Sequence, residues 1–155
     1  MRRLFVLVAA LATSASVLSI ANAQHARSAR DERIIAAVRA VLDAQVAAWN
    51  RGDIEAFMEG YRRSPETVFI SGDSLTRGWQ TVLNRYKRNY DTREKMGTLS
   101  FLEIEIVPVN SDTAVAFGRW QLSRLAFTPH GRFTLILRRT REGWRIVHDH
   151  TSSAT

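Results

Sequence analysis

The pattern that most constrains this chain is a change of period. Up to Met96 helical spacing of the apolar residues prevails, interrupted by one short β-rich stretch, and beyond it they alternate. Four successive segments, 102–106, 114–125, 133–139 and 144–151, are rich in β-branched and aromatic residues. Pro108 with Asn110-Ser111-Asp112 makes one turn between them, and Arg141-Glu142-Gly143 makes another. Leu102, Ile104 and Ile106 alternate with Glu103 and Glu105, which predicts a strand with one buried and one wet face. Sequential strands joined by short turns pair antiparallel with their neighbours.

The first half reads differently. Ile34, Val38, Val41, Leu42, Val46 and Trp49 fall on one face of a helix over 31–50. Asn50-Arg51-Gly52 ends it, and Asp53 is placed to cap a second helix running to about Gly60. Ser64-Pro65 closes that helix. A strand at 67–71, a turn at Gly72-Asp73 and a short return at 75–77 follow. From Gly78, Trp79, Val82, Leu83, Tyr86 and Tyr90 predict a third helix, with Arg85, Lys87 and Arg88 on its outward side. The fold class is therefore α+β, with helices packed on one face of a curved sheet.

Met1-Arg2-Arg3, the apolar run 4–18 and Ala21-Asn22-Ala23 form the three parts of a secretory signal peptide, 1–23, cleaved before Gln24. The apolar stretch falls short of the ~20 residues that span hydrocarbon, so no stable membrane insertion is expected after processing. Residues 24–30 are polar without periodicity and predict a flexible lead-in to a domain over 31–152. The expected location is periplasmic or secreted. The chain has no cysteine, which excludes a disulfide scaffold, a thiolate zinc site and a cysteine nucleophile. The formal charge of +7 loses two arginines with the leader and becomes +5. Its basic stretch Arg138-Arg139-Thr140-Arg141 is not interleaved with exposed aromatics, so a nucleic-acid partner is not expected.

Several motifs in this order carry a resemblance: Trp49-Asn50-Arg51-Gly52-Asp53, Tyr61 with Ser64-Pro65, Gly78-Trp79, Arg85-Tyr86, Gly118-Arg119-Trp120 and His148-Asp149-His150-Thr151-Ser152. The chain resembles the SnoaL-like and domain-of-unknown-function 4440 branch of the nuclear transport factor 2-like superfamily. The resemblance implies a cone-shaped fold of three helices on a strongly curved antiparallel sheet enclosing a pocket, and a homodimer. It leaves function open, because that superfamily holds ketosteroid isomerases, polyketide cyclases, epoxide hydrolases, dehydratases and non-catalytic association domains. The closing Val147-His148-Asp149-His150 is also similar to the end of the calmodulin-dependent kinase II association domain. In that hub a pocket arginine aligns with Arg119, while a second would fall near Ile136, so the constellation is incomplete here.

His148 and His150 lie on one face of the last strand and Asp149 on the other. Two imidazoles without a third ligand at diagnostic spacing do not make a metal site, and no metal or cofactor is expected. The histidines are general-base or ligand contacts, or structural hydrogen-bonding groups. Alternation does not choose which face lines the pocket, since both registers contain apolar residues; the register with Trp144 and the histidines inside is preferred. In the other, burial would raise the pKa of Asp149 towards that of a working base. Arg119, among apolar residues, needs a carboxylate such as Asp53 or Asp149, or an anionic ligand. Trp49, Tyr61, Phe69, Trp79, Tyr86, Trp120 and Phe133 predict core, and the hydroxyls of Tyr61 and Tyr86 could also reach a ligand.

The expected function is binding of a small, mostly apolar molecule bearing one polar or anionic group, with cofactor-free acid–base chemistry by Asp149, His148 or His150. Arg119, Tyr61, Tyr86, Trp49 and Trp120 are the expected ligand contacts. The alternative is a non-catalytic ligand-binding or association module.

Overall fold

Neither proline nor glycine interrupts the chain between residues 4 and 50, and helix α1 (Leu4–Asn50) is continuous over that whole length. It stops where Gly52 takes φ +85°, a left-handed conformation that favours glycine. The computed structural model describes residues 4–154, with side chains from Gln24 onward. The side chains of the expected leader, 1–23, lie outside the described residues. The stretch 24–30 is helical rather than an irregular lead-in, because it offers no breaker to the helix that follows. Two compact units divide the chain, 1–33 and 34–155. The first is helical throughout its described residues, and everything below concerns the second. Among the described residues no helix is long and apolar enough to cross a membrane.

Asp53 caps α2 (Ile54–Met58), its Oδ1 accepting the Ala56 N–H at 2.9 Å. Strands β1 (Val68–Ser71) and β2 (Ser74–Arg77) form a hairpin, α3 (Trp79–Asn89) follows, and a one-turn α4 (Arg93–Met96) adds a fourth helix to the three expected. The four long strands are β3 (Thr98–Pro108), β4 (Thr113–Ser123), β5 (His130–Thr140) and β6 (Gly143–Thr151). They pair as the expected antiparallel meander, in the sheet order β2-β1-β6-β5-β4-β3. The β1–β6 pair is parallel, with Phe69 opposite Asp149. No local signal announces that pairing, since the partners lie some eighty residues apart.

Two bulges correct the alternation read from sequence. In β3 the register slips between Leu102 and Glu105, and Glu103 takes φ +52°. Ile106 is buried and Ile104 half-buried, but Leu102 turns outward with 41% of its surface exposed. In β6 the register slips so that Ile136 pairs with His148 while Leu137 pairs with Ile146, leaving Val147 unpaired. A single extra residue reverses which side chains face inward. Trp144 and Ile146 are therefore buried before the bulge and Asp149 after it, whereas His148 is half-buried and His150 exposed.

Candidate functional site

Asp149 reaches the interior because of that bulge, and Tyr61 meets it because of the backbone beside it. The 60–62 segment docks on β6: Arg62 N–H donates to Ile146 O at 2.9 Å and Ile146 N–H donates to Gly60 O at 2.8 Å. This fixes Tyr61 alongside Ile146, and its hydroxyl donates to Asp149 Oδ2 at 2.6 Å. Thr151 Oγ1 donates to the other carboxylate oxygen at 2.7 Å. Asp149 is 4% exposed.

The pair lies on the wall of a cavity of about 140 Å³ between the sheet, α1 and α3. Trp49, Phe57, Phe69, Tyr86, Phe101 and Phe133 are among the aromatic residues that line it. An engineered apolar cavity of roughly 150 Å³ takes one benzene, so this space suits a single ring. Trp49 meets Tyr90 edge-on at 4.7 Å between ring centres, and its indole N–H donates to Met96 O at 3.2 Å. Trp120 lines the same cavity, with its indole N–H on Ser152 O at 2.9 Å.

Burial governs the electrostatics. Removal from water raises the carboxyl of Asp149 to about 6, against the smaller opposing effects of the Tyr61 and Thr151 hydrogen bonds and the charge of His150. Burial likewise holds the phenols of Tyr61 and Tyr86 well above their ordinary value, reinforced in both by the negative charge of Asp149. The arrangement is a carboxyl that changes charge near neutrality, flanked by two phenols that stay protonated.

Of the expected site residues, Asp149, Tyr61, Tyr86, Trp49 and Trp120 come together here. His148, His150 and Arg119 do not. Arg119 pairs across the sheet with Leu102 and Arg132, next but one to the exposed Phe117, on the face opposite the cavity. His148 joins that outer face in a row with Val115 and Ile136, and His150 in a row with Phe117 and Thr134. The preferred register is thus corrected for the histidines and kept for Trp144. Among the described residues no group of three or more His, Cys, Asp or Glu could hold a metal ion.

Among the pocket residues that the sequence reading missed are Arg85 and Gln45. Arg85 was placed on the outward side of its helix, but it lines the cavity with Tyr86, Asn89 and Tyr90. Spacings of one, four and five residues define one helical face, and that face includes Arg85. Gln45, 2% exposed, also lines it and donates from Nε2 to Phe57 O at 3.1 Å. A side-chain Cβ at Gly60 would sit 2.7 Å from Gln45 Nε2, so glycine makes room for it. The available signal was a polar residue on the Leu42–Trp49 apolar stripe.

A model of the SnoaL-like domain matches residues 38–155. A nuclear-transport-factor-2-like protein of unknown function from Shewanella oneidensis is similar at 39% identity, over 76% of this chain and 98% of that one, with a TM-score of 0.73. A ketosteroid isomerase-like protein from Erwinia carotovora atroseptica is 21% identical over 77% of this chain and 95% of its own, with a TM-score of 0.62. A candidate calcium/calmodulin-dependent protein kinase II association domain from Xanthomonas campestris is 16% identical over 76% and 85%, with a TM-score of 0.61. The last two share the fold. No curated protein matches the chain.

Proposed function

The chain belongs to the SnoaL-like domain family, and on that footing we propose that its pocket binds a small, mostly apolar carbonyl compound and moves a proton on it, with Asp149 as the base. The observation that carries this reading is the Asp149–Tyr61 pair, 2.6 Å apart on an otherwise aromatic wall. A carboxyl of pKa about 6 is ionised at neutral pH yet remains a stronger base than an exposed aspartate. It takes the proton from the carbon next to the carbonyl. The C–H bond breaks, its electron pair moves into the new carbon–carbon double bond, and the carbonyl oxygen becomes an enolate. Tyr86, on the same wall and protonated at neutral pH, donates a hydrogen bond to that oxygen. Where the carbonyl compound carries a β,γ double bond the enolate is a dienolate, and return of the proton to its γ-carbon shifts the double bond into conjugation and completes an isomerisation. Without that double bond the proton returns to the same carbon, as exchange.

A second reading, a non-catalytic ligand-binding or association module, is favoured by one detail. Both oxygens of Asp149 already accept hydrogen bonds from the fold, an arrangement that also ties β6 to the segment after α2. Phenylacetone in deuterium oxide separates the two. Proton magnetic resonance should show catalysed loss of its methylene signal, at a rate that rises with pH through about 6 and then levels. Binding of aryl ketones without exchange would establish the module instead, and absence of both would sink the pocket reading.

Export and dimerisation belong to the same proposal. The leader pattern in 1–23 supports cleavage before Gln24, to be read by N-terminal sequencing of the mature protein. The outer face of β3 and β4 supports a homodimer, because Leu102 and Phe117 remain 41% and 37% exposed there beside Val107 and Val115. Light scattering should give twice the chain mass; Phe117→Arg should give the monomer.

A further inference from the structure

Two residues that line the cavity carry formal charge, Asp149 and Arg85. Arg85 is held in place before any ligand arrives. Its Nη1 donates to Ser74 Oγ and to Thr76 Oγ1, each at 2.8 Å, and its guanidinium lies over the ring of Phe69 at 5.1 Å. Both hydroxyls come from β2, so the hairpin serves as a bracket for a residue of α3. Hydroxyls are neutral acceptors and leave the positive charge uncancelled. Among the described residues Arg85 forms no ion pair, whereas its neighbour Lys87 is paired with Glu55.

A guanidinium fixed through one nitrogen keeps its remaining N–H groups for a planar anion. Ser71 and Asn89 line the cavity as well and add neutral donors to it. Phe69 lies beneath the guanidinium and opposite Asp149 in the sheet, which puts an aromatic surface next to both charged groups. We propose that Arg85 is an anion anchor, and that the natural ligand is an amphipathic carboxylate: an aromatic or alicyclic body in the cavity, with its carboxylate on the Arg85 guanidinium and its reacting carbon towards Asp149. The proposal rests on the pocket reading above and adds the ligand's charge to it.

Phenylacetate and phenylacetamide are nearly isosteric and differ in charge, so they serve as the probes. At about pH 8 Asp149 is ionised and repels the anion, which leaves Arg85 as its attractive partner. Calorimetric titration should find phenylacetate bound more tightly by on the order of tenfold, the worth of one partly exposed charge-assisted hydrogen bond. Arg85→Gln should erase the preference, weakening phenylacetate by more than it weakens phenylacetamide. Arg85→Lys, which keeps the charge without the fork, should retain part of it. Equal affinity of the wild type for both probes, or a preference that survives Arg85→Gln, overturns the anchor and leaves the pocket reading intact. Failure of both probes to bind overturns the pocket reading itself. Should Arg85→Gln not fold, loss of the wild-type preference in molar salt supports the anchor, and its persistence counts against it.

Discussion

Asp149→Asn should abolish proton exchange and, at the same time, raise the melting temperature at neutral pH. The first effect follows from removing the base, and general-base catalysis contributes roughly 10²–10⁴-fold. The second follows from what burial does to the carboxylate. Its pKa is about 6 in the folded chain against an ordinary value of 3.8. Below about pH 4 the group is protonated in both the folded and the unfolded chain. Between those values the unfolded chain has released a proton that the folded chain still holds, so stability falls as pH rises through the window. Above about pH 6 the loss is complete, on the order of 3 kcal/mol at ~1.4 kcal/mol per pH unit.

Asparagine keeps the shape and a hydrogen-bonding oxygen for Tyr61, but never ionises. The variant should therefore melt several degrees above the wild type at about pH 8, since 1 kcal/mol moves a chain of this size by roughly 2–4 °C. The advantage should vanish by about pH 4. Calorimetric melts of both proteins across that range test it. A carboxylate kept only as a structural tie gives the opposite result: a lower melting temperature at every pH above its titration, with exchange untouched or absent in both proteins. That outcome would falsify the catalytic reading.

The second large effect is expected at Trp49. It closes α1 and meets three aromatic rings edge-on: Tyr90 at 4.7 Å, Phe57 at 5.2 Å and Tyr86 at 6.0 Å between centres. Its N–H also satisfies the Met96 carbonyl at the end of α4. Trp49→Ala empties the middle of this cluster and orphans that carbonyl, a loss of roughly 3–5 kcal/mol. Thermal denaturation should register a fall on the order of 10 °C. Trp49→Phe, which refills most of the volume and loses only the N–H, should recover more than half of it. A Trp49→Ala variant that melts within about two degrees of the wild type would show that the remaining rings hold α1, α2 and α3 together without it.

Much of this architecture is legible in the chain. The caps around Gly52 and Asp53 are written locally, because they depend on a left-handed backbone and a carboxylate beside exposed N–H groups. The antiparallel order of β3 to β6 follows from short turns. Tyr61 and Tyr86 could be singled out because a buried phenol needs a polar neighbour. The arginine of the pocket was not legible in the same way. Arg119 stands between Gly118 and Trp120 and Arg85 between Asn84 and Tyr86, and only the packed structure shows that β4 turns the first outward while α3 turns the second in.

What the sequence by itself determined is the set of elements, their order and the residues able to do chemistry in a chain without cysteine. Period, turn residues and side-chain type are local properties, and local properties survive in the linear text. What only the tertiary structure decided is which of those residues meet. One unpaired residue at Val147 sends Asp149 inward and the histidines outward, and a strand pairing across some eighty residues sets Phe69 beside that carboxylate. A bulge is a choice between two nearly equivalent registers, and it is made by the sum of contacts on both faces of the sheet. No single stretch of the chain contains that sum.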